Sequence, residues 1–172
     1  LGRGDLGLEV DRDTADAVLN RGSQLMQGFL NDDDFVGMLR IFQVALARGQ
    51  VPATDATDLG NQLAEEYPAL EPRMNRELVR LLVYLDNPTV VARMIDELNR
   101  DDNPTEEKLH LATYCRFVKN GWTFDQKLSL LKYYESARLL PGGHSFRGYL
   151  DNASRDFVSE LPEDEQWLVV TQ

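Results

Sequence analysis

The chain has 172 residues, 42% of them hydrophobic and 27% charged, and its 29 acidic and 18 basic residues give a formal net charge of −11 at pH 7. This composition is typical of a soluble globular domain, and such an acidic chain is expected to bind neither nucleic acid nor anionic lipid. One cysteine excludes an internal disulfide and a Cys-rich metal site, and no apolar run is long enough for membrane insertion. Because it has no initiator Met and no signal peptide, we expect the chain to be a fragment of a longer protein.

Three helices are predicted in the first third of the chain, after a poorly ordered tail at residues 1–12. Each follows a cap residue and carries apolar side chains three or four positions apart, which places them on one helix face. Gly49, in a left-handed conformation, is expected to end the second helix, and Pro68 the third. The first helix is expected from its cap Asp13 to Leu30, the second from a start within Asn31–Asp34, and the third from Thr54 or Asp55. Their predicted stripes are Val18, Gly22, Leu25 and Phe29; Phe35, Leu39, Phe42 and Leu46; and Leu59 and Leu63.

Proline marks the predicted helix starts in the middle of the chain. Pro72 suits the first turn of a helix, and the pairs Asn87-Pro88 and Asn103-Pro104 each supply a cap followed by a first-turn proline. The expected capping boxes join Asn103 with Glu106 and Thr123 with Gln126, and Lys119-Asn120-Gly121 is expected to stop the helix between them. The predicted stripes are Met74, Leu78, Leu81 and Leu85; Val91, Met94, Ile95 and Leu98; Leu111, Cys115 and Val118; and Leu128, Leu131 and Ala137 or Arg138.

The C-terminal part begins with the strongest break in the chain, Pro141-Gly142-Gly143. Ser145 is expected to cap the next helix, and a final helix is expected to start at Pro162. No run alternates apolar and polar residues as a strand does. The apolar stripe of the penultimate helix is Phe146, Leu150, Ala153, Phe157 and Leu161.

About eight helices joined by short loops form either an irregular bundle or a stack of helical hairpins. The hairpin at Leu78–Leu98 resembles the one at Leu111–Leu131, 33 positions later, and repeats of this length are typical of solenoids. We therefore predict an all-α fold of stacked antiparallel helical hairpins, a HEAT-like α-solenoid, with residues 13–172 as one repeat domain.

Several segments within residues 71–165 resemble HEAT-type hairpins. They are Arg80–Leu85 followed by Asn87-Pro88, Leu109–Ala112, Asn120–Thr123, Gly142–Phe146 and Gly148–Leu150. Together they are similar to a helical-repeat segment of large bacterial extracytoplasmic proteins, which is often joined to a c-type cytochrome domain. The resemblance implies a scaffold beside a redox domain and a periplasmic or extracellular location, with a cytoplasmic location as the alternative. The haem motif Cys-x-x-Cys-His is absent, because Cys115 precedes Arg116, Phe117 and Val118. No cofactor is therefore expected in this fragment, although haem is possible in the full-length protein.

Metal binding is not predicted from the acidic clusters. The two clusters do not match the ligand spacing of a calcium loop, and helix capping explains both better. They consist of Asp11, Asp13 and Asp16, and of Asp32–Asp34. His110 and His144 lie too far apart in the sequence to indicate zinc.

The candidate catalytic and ligand-binding residues are few. Cys115 lies on an apolar stripe, which predicts a buried and inert thiol, and His110 next to Tyr114 is either a packing histidine or a tuned base. Gly142, Gly143, His144 and Ser145 form a glycine-rich loop before a helix N-terminus, where backbone amides could hold an anion. That loop lacks the lysine of a phosphate-binding loop.

Three further features have ordinary structural explanations. Trp122 is predicted to wedge between hairpins, and Tyr133, Tyr134 and Tyr149 either line a groove or pack in the core. The tripeptide Arg3-Gly4-Asp5 is a chance match to an integrin-type motif.

The predicted function is a non-catalytic helical-repeat scaffold or protein-interaction module that docks a protein partner or the neighbouring domains of its own chain. The alternative is a structural module of a haem-containing or dehydrogenase-type redox protein whose cofactor domain lies outside this fragment. In neither case is the fragment itself an enzyme. Its oligomeric state is left open.

Overall fold

The computed structural model describes residues 10–170, which form nine α-helices and, among those residues, no strand. The predicted all-α class is confirmed. The helices are α1 (Arg12–Met26), α2 (Asp32–Arg48), α3 (Thr57–Glu65), α4 (Pro72–Tyr84), α5 (Val91–Asn99), α6 (Thr105–Cys115), α7 (Phe124–Ala137), α8 (His144–Ser159) and α9 (Glu163–Val170). Short 3-10 turns precede α3 and α5, at Ala53–Ala56 and Pro88–Val90.

The chain has two compact units, which divide between Asn87 and Pro88. This boundary falls inside the predicted repeat domain 13–172 and inside the hairpin Leu78–Leu98 that the sequence comparison treats as one repeat. Residues 1–9 of the predicted tail, which include Arg3-Gly4-Asp5, lie outside the described residues.

The first unit consists of two stacked helical hairpins. α1 packs against α2 and α3 against α4, while α2 also packs against α4 and α1 against α3. Equivalent helices of successive hairpins therefore lie side by side, which is consistent with the stacked arrangement expected from sequence. The core of this unit includes the fully buried side chains Leu39, Phe42, Leu46, Leu63, Leu78, Leu81 and Leu82.

The second unit is also built from helices that pack on their neighbours. α5 packs against both α6 and α7, α6 against α7, α7 against α8, and α8 against α9. The predicted hairpin at Leu111–Leu131 corresponds to the packed pair of α6 and α7. The largest fully buried side chains of this unit are Met94, Leu98, Leu130, Tyr134 and Leu150.

The apolar face of α1 differs from the prediction. Ala15, Leu19 and Gly22 are buried, whereas Leu25 and Phe29 of the predicted stripe are exposed. The cause is the approach of α2, since a Cβ atom added at Gly22 would lie 2.6 Å from Cζ of Phe42. This close contact directs the Gly22 face of α1 towards α2 and leaves the neighbouring face open.

The ends of α1 also differ from the prediction. The cap is Asp11, whose carboxylate accepts a hydrogen bond from the Thr14 backbone N–H at 2.9 Å, and Asp13 lies within the helix. The helix ends at Met26 rather than Leu30.

Gly49 ends α2 as predicted, but for a different reason. Its φ is −77°, and the left-handed residue is Gln50, with φ of 49°. A Cβ atom at Gly49 would overlap the Cβ atom of Ala15 and lie 2.8 Å from the Ala45 carbonyl oxygen. Glycine is therefore required there for the close packing of α1 on α2.

Several predicted caps are wrong because the polar side chain has another partner or position. The side-chain amide of Asn103 donates to the Glu97 carbonyl oxygen at 2.9 Å, so it does not form the expected box with Glu106. The buried Asn87 donates to Asn61 at 3.1 Å, and a 3-10 turn rather than a capped helix follows it. Ser145 lies in the first turn of α8, whose cap is Gly143. The third helix likewise begins at Thr57 after a 3-10 turn, not at Thr54 or Asp55.

The remaining predictions of local structure are largely confirmed. The box between Thr123 and Gln126 forms at the start of α7, Pro72 occupies the first turn of α4, and Gly121 has a positive φ. The predicted stripes of α2, α3, α4, α5 and α6 are buried throughout, whereas Leu128 of α7 and Phe146 of α8 are only half-buried.

Candidate functional site

The predicted anion loop lies on the surface, between α7 and α8. Gly142, Gly143, His144 and Ser145 are all exposed. The carbonyl oxygen of Gly143 accepts hydrogen bonds from the backbone N–H groups of the first turn of α8, as in any helix start. The loop thus places its four residues in sequence at one helix N-terminus, and no second element of the described chain is seen to complete a binding site there.

Gly142 in that loop has a packing role. A Cβ atom at this position would approach Cγ of Phe146 to 3.0 Å and would overlap the ring edge, so the bend depends on glycine packing against this aromatic side chain. Gly143, in contrast, has open space around it. The glycine at position 142 is therefore explained by its packing against Phe146, without an anion.

The groups that could supply a nucleophile or a base are engaged in packing. Burial raises the pKa of the Cys115 thiol to about 12, so the thiolate needed for nucleophilic attack is scarce at neutral pH. His110 contacts the Tyr114 ring, with 4.7 Å between ring centroids.

The tyrosines divide between core and surface. Tyr134 is buried and donates to the Ala112 carbonyl oxygen at 2.6 Å, and burial raises its pKa above the usual value. Burial also raises the pKa of Tyr133, to about 12. Tyr149 is exposed, whereas Tyr134 is fully buried. The three tyrosines therefore do not line one open groove. Trp122 packs against Phe157 of α8, with ring centroids 5.4 Å apart.

The acidic clusters serve as caps and ion-pair partners. Arg12 bridges Asp16 and Asp55 at 2.9 Å and 2.8 Å, at the wall of a polar cleft of about 550 Å³ between α1 and the turn before α3. Asp33 pairs with Arg73 at 3.2 Å. Within residues 10–170, no three His, Cys, Asp or Glu side chains are grouped closely enough to hold a metal ion.

Glu77 of α4 is a buried carboxylate in the first unit. Arg40 and Arg80 donate to it at 3.0 Å and 2.8 Å, and Gln43 donates at 2.8 Å. Burial acts to raise the pKa of Glu77, but the hydrogen bonds from Gln43, Arg40 and Arg80 outweigh it and hold that pKa below its usual value. The cluster joins α2 to α4, which gives it a structural role.

One surface feature of the first unit is an apolar groove between α1 and α2, which we call the α1/α2 groove. It has a volume of about 740 Å³. Leu25 and Ile41 on its walls are 45% and 55% exposed. Its apolar lining is Ala17, Val18, Gly22, Leu25, Leu30, Gly37, Met38, Ile41 and Phe42. An exposed apolar surface with a polar rim is one of the features of a protein-binding site.

The rim of the α1/α2 groove carries charges of both signs. Arg21 lies on the α1 side, and Asp33 and Asp34 lie on the α2 side next to the connecting loop. The adjacent Phe29 in that loop is 95% exposed. The groove therefore combines an apolar lining with one basic and two acidic rim residues, and the uncovered Phe29 lies next in sequence to its lining residue Leu30.

Sequence reasoning missed this groove, although a signal for it was present. Beside the buried stripe of α2, Ile41 adds a large apolar residue on another face. α1 likewise carries Val18 and Leu25 beside its buried face. A helix with more apolar residues than one buried stripe requires indicates a second contact surface.

Among the described residues, no helix has both the length and the apolar character that crossing a membrane requires. The resemblance to HEAT-type hairpins of cytochrome-bearing proteins remains a prediction, since no family model, curated protein or solved structure matches the chain.

Proposed function

We propose that this chain is a non-catalytic helical-repeat scaffold that docks another protein in the α1/α2 groove. The observation that carries the proposal is the open apolar lining of the groove, with Leu25 and Ile41 about half exposed on its walls. Burying such side chains against a partner is favourable by about 25 cal/mol per Å² of apolar surface removed from water.

The placement of the chemically reactive side chains supports a docking role over a catalytic one. Cys115 lies in the core with its pKa raised by burial, and Tyr134 is held by a backbone carbonyl. The open groove, in contrast, is lined mainly by aliphatic side chains that offer contact area.

The resemblance stated above adds an expectation about the setting of the scaffold. It implies an exported protein in which the helical segment stands beside a redox domain, with haem held outside this chain. Cys115 is the single cysteine of the sequence and is buried, so the residues described here do not fit covalent haem attachment. A coding region without Cys-x-x-Cys-His and without an export signal would contradict this expectation.

Site-specific photo-crosslinking in the native cells tests the docking role. A photoreactive amino acid in place of Ile41 places the probe in the groove, and the same amino acid in place of Ala47, exposed on α2 but outside the groove, is the matched control. We expect a crosslinked protein band at position 41 and none at position 47. Equal or absent crosslinking at the two positions would overturn the proposed function.

A further inference from the structure

We infer that α8 and α9 form a lid on the second unit, which ion pairs hold closed and which salt helps to open. We call residues 144–170 the α8/α9 lid. The inference concerns the second unit and goes beyond the proposed function, which rests on a groove of the first unit. It is carried by the separation of charge between the lid and the two helices that precede it.

Four ion pairs join the α8/α9 lid to α6, α7 and the turn between those two helices. In each of these pairs the acidic partner belongs to the lid and the basic partner to the preceding segment. The pairs are Arg116–Asp156, Lys119–Glu160, Lys127–Glu165 and Arg138–Asp151. Because the four pairs have the same polarity, they act together as an attraction between the two segments.

The same polarity extends to the net charges of the two segments. Residues 105–138 carry six basic and four acidic side chains, which give a formal charge of +2 with histidine neutral. Residues 144–170 carry two basic and six acidic side chains, which give −4. In a chain with a net charge of −11, this contact is therefore a place where charges attract rather than repel.

Three of the four ion pairs lie where salt screens them. Their acidic partners Asp151, Asp156 and Glu160 have side chains that are 50%, 63% and 53% exposed. Attraction between exposed charges weakens as added salt shortens the Debye length, to about 3 Å at 1 M. The fourth pair attaches α9 to α7 and is more shielded, since Lys127 and Glu165 are 13% and 23% exposed. A reversal of charge is therefore most disruptive at this fourth pair.

The lid lies at the end of the packing order of its unit. α8 packs against α7 and α9 against α8, whereas α5 packs against both α6 and α7. Leu150, Ala153 and Phe157 of α8 are buried, which favours the closed lid. In α9, none of the side chains that the structure describes, those of residues 163–169, is buried. The lid therefore separates from α7 while α5, α6 and α7 keep their own contacts, at a smaller cost than unfolding the unit.

Opening of the lid changes the surface of α6 and α7. Trp122 packs against Phe157 of α8, with 5.4 Å between the ring centroids, so opening uncovers the indole ring. Opening also releases Arg116, Lys119 and Lys127 from their carboxylate partners. Ionic strength therefore controls the exposure of a basic and partly aromatic face.

Hydrogen exchange of the whole chain, followed by mass spectrometry, tests the lid. At about 0.05 M NaCl, we expect peptides from α8 and α9 to exchange at least about tenfold faster than peptides from α5. At about 0.5 M NaCl, exchange in α8 and α9 should rise at least about threefold. Exchange in α5 should stay constant or slow, because salt reduces the self-repulsion of an acidic chain.

A charge exchange at the shielded pair tests the ion pairs themselves. Lys127→Glu places two carboxylates together at a half-buried position, so exchange in α8 and α9 should rise about tenfold. Adding Glu165→Lys restores an attractive pair, and exchange should return to within about threefold of the wild-type rate. Lys132→Glu makes the same change in net charge at an exposed position of α7 outside the four pairs, and it should leave exchange in the lid unchanged.

Three results would overturn the inference. The first is a wild-type chain in which α5, α8 and α9 exchange at the same rate, since the second unit then opens as a whole. The second is exchange in α8 and α9 that stays constant or slows as NaCl is added. The third is a double variant that exchanges as fast as Lys127→Glu alone. If Lys127→Glu also speeds exchange in α5, the variant has destabilised the whole unit, and the salt response of the wild type decides.

Discussion

Gly121 holds the turn between α6 and α7 in a conformation that other residues rarely adopt. Its φ is 87°, and a Cβ atom added there would overlap the carbonyl oxygen of Pro88 and lie 2.8 Å from the Pro88 carbonyl carbon. We expect Gly121→Ala to lower the free energy of unfolding by about 2–4 kcal/mol, because the backbone strain adds to the overlap with another backbone segment. Urea unfolding followed by circular dichroism measures this change.

Gly148, in the middle of α8, is the matched control for that substitution. No atom lies within 4 Å of a Cβ added there, and its backbone is helical. Gly148→Ala should therefore raise the stability by about 0.5–1 kcal/mol, the usual helix-interior difference between the two residues. Similar destabilisation by both substitutions would contradict the assignment of strain to the Gly121 turn.

Glu77 is expected to make the stability of the first unit depend on acid pH. Its pKa is lowered in the folded state by the hydrogen bonds from Gln43, Arg40 and Arg80, which outweigh its burial. The stabilisation is therefore fully present above the unfolded pKa and is lost as the pH falls through the folded pKa. We expect Glu77→Gln to cost about 1–3 kcal/mol at pH 7, since two arginines lose their charged partner.

The pH dependence distinguishes the charge of Glu77 from its packing. Between pH 7 and pH 3, the difference in unfolding free energy between the wild type and Glu77→Gln should shrink, because the wild-type carboxylate becomes protonated. Glu65→Gln, at an exposed position on α3, should give the same profile as the wild type. A difference that stays constant over this range would show that the charge does not contribute.

At the scale of single elements, helix capping gives a direct comparison of two similar sequence patterns. Thr123 and Gln126 form a reciprocal box at the start of α7, whereas Glu106 has no such partner at the start of α6. We expect Thr123→Ala to destabilise the chain by about 1 kcal/mol and Glu106→Ala by no more than about 0.5 kcal/mol, its contribution to the helix dipole.

Thermal unfolding of these two variants provides the measurement. Both residues lie in the second unit, so the same transition reports on both. Equal losses of stability would mean that the box at α7 adds nothing beyond the charge at a helix start.

A sequence predicts the buried face of a helix only where the apolar residues of that helix leave a single choice of face. The predicted stripes of α2 and α4 are confirmed, since all of their residues are buried. The face of α1 was predicted wrongly because Ala15, Leu19 and Gly22 compete with Val18 and Leu25, and only the approach of Phe42 decides between them. A tertiary contact of this kind has no local signature.

Several predicted helix caps were wrong for a related reason. Asn103 has the right residue type and position for a cap, but the Glu97 carbonyl oxygen of the preceding helix takes its amide. Local patterns predict the groups that can form a hydrogen bond, whereas the fold selects the partner.

The candidate sites also differ in how far their positions could be predicted from local sequence patterns. The break at Pro141–Gly143 was located correctly between two helices, because glycine and proline mark turns by their own conformational properties, whereas His144 and Ser145 belong to α8. Whether it holds an anion stays a prediction. The surplus apolar residues of α1 and α2 indicated a second contact surface, but the position of the α1/α2 groove depends on which helix faces the fold leaves uncovered.

At the scale of the whole chain, both units are built from successive hairpins, and each has its own core of buried aliphatic and aromatic side chains. In the first unit, equivalent helices of the two hairpins lie side by side, as in a stack of repeats. The offset of 33 positions in the sequence correctly indicated a hairpin architecture. Of the two hairpins that the repeat relates, the one at Leu111–Leu131 corresponds to α6 and α7, which pack against each other in the second unit.

The net charge of −11 is expected to reduce the stability of the chain at low ionic strength through self-repulsion. Exposed ion pairs such as Arg138–Asp151 oppose this effect weakly, since pairs of that kind contribute about 0–1 kcal/mol. Adding NaCl from low to physiological concentration should therefore raise the melting temperature, measured at low protein concentration. Arg48→Glu exchanges one positive for one negative charge at an exposed position and changes the net charge from −11 to −13, so its melting temperature should rise more steeply with salt. A melting temperature that falls as NaCl is added would mean that the ion pairs outweigh the repulsion.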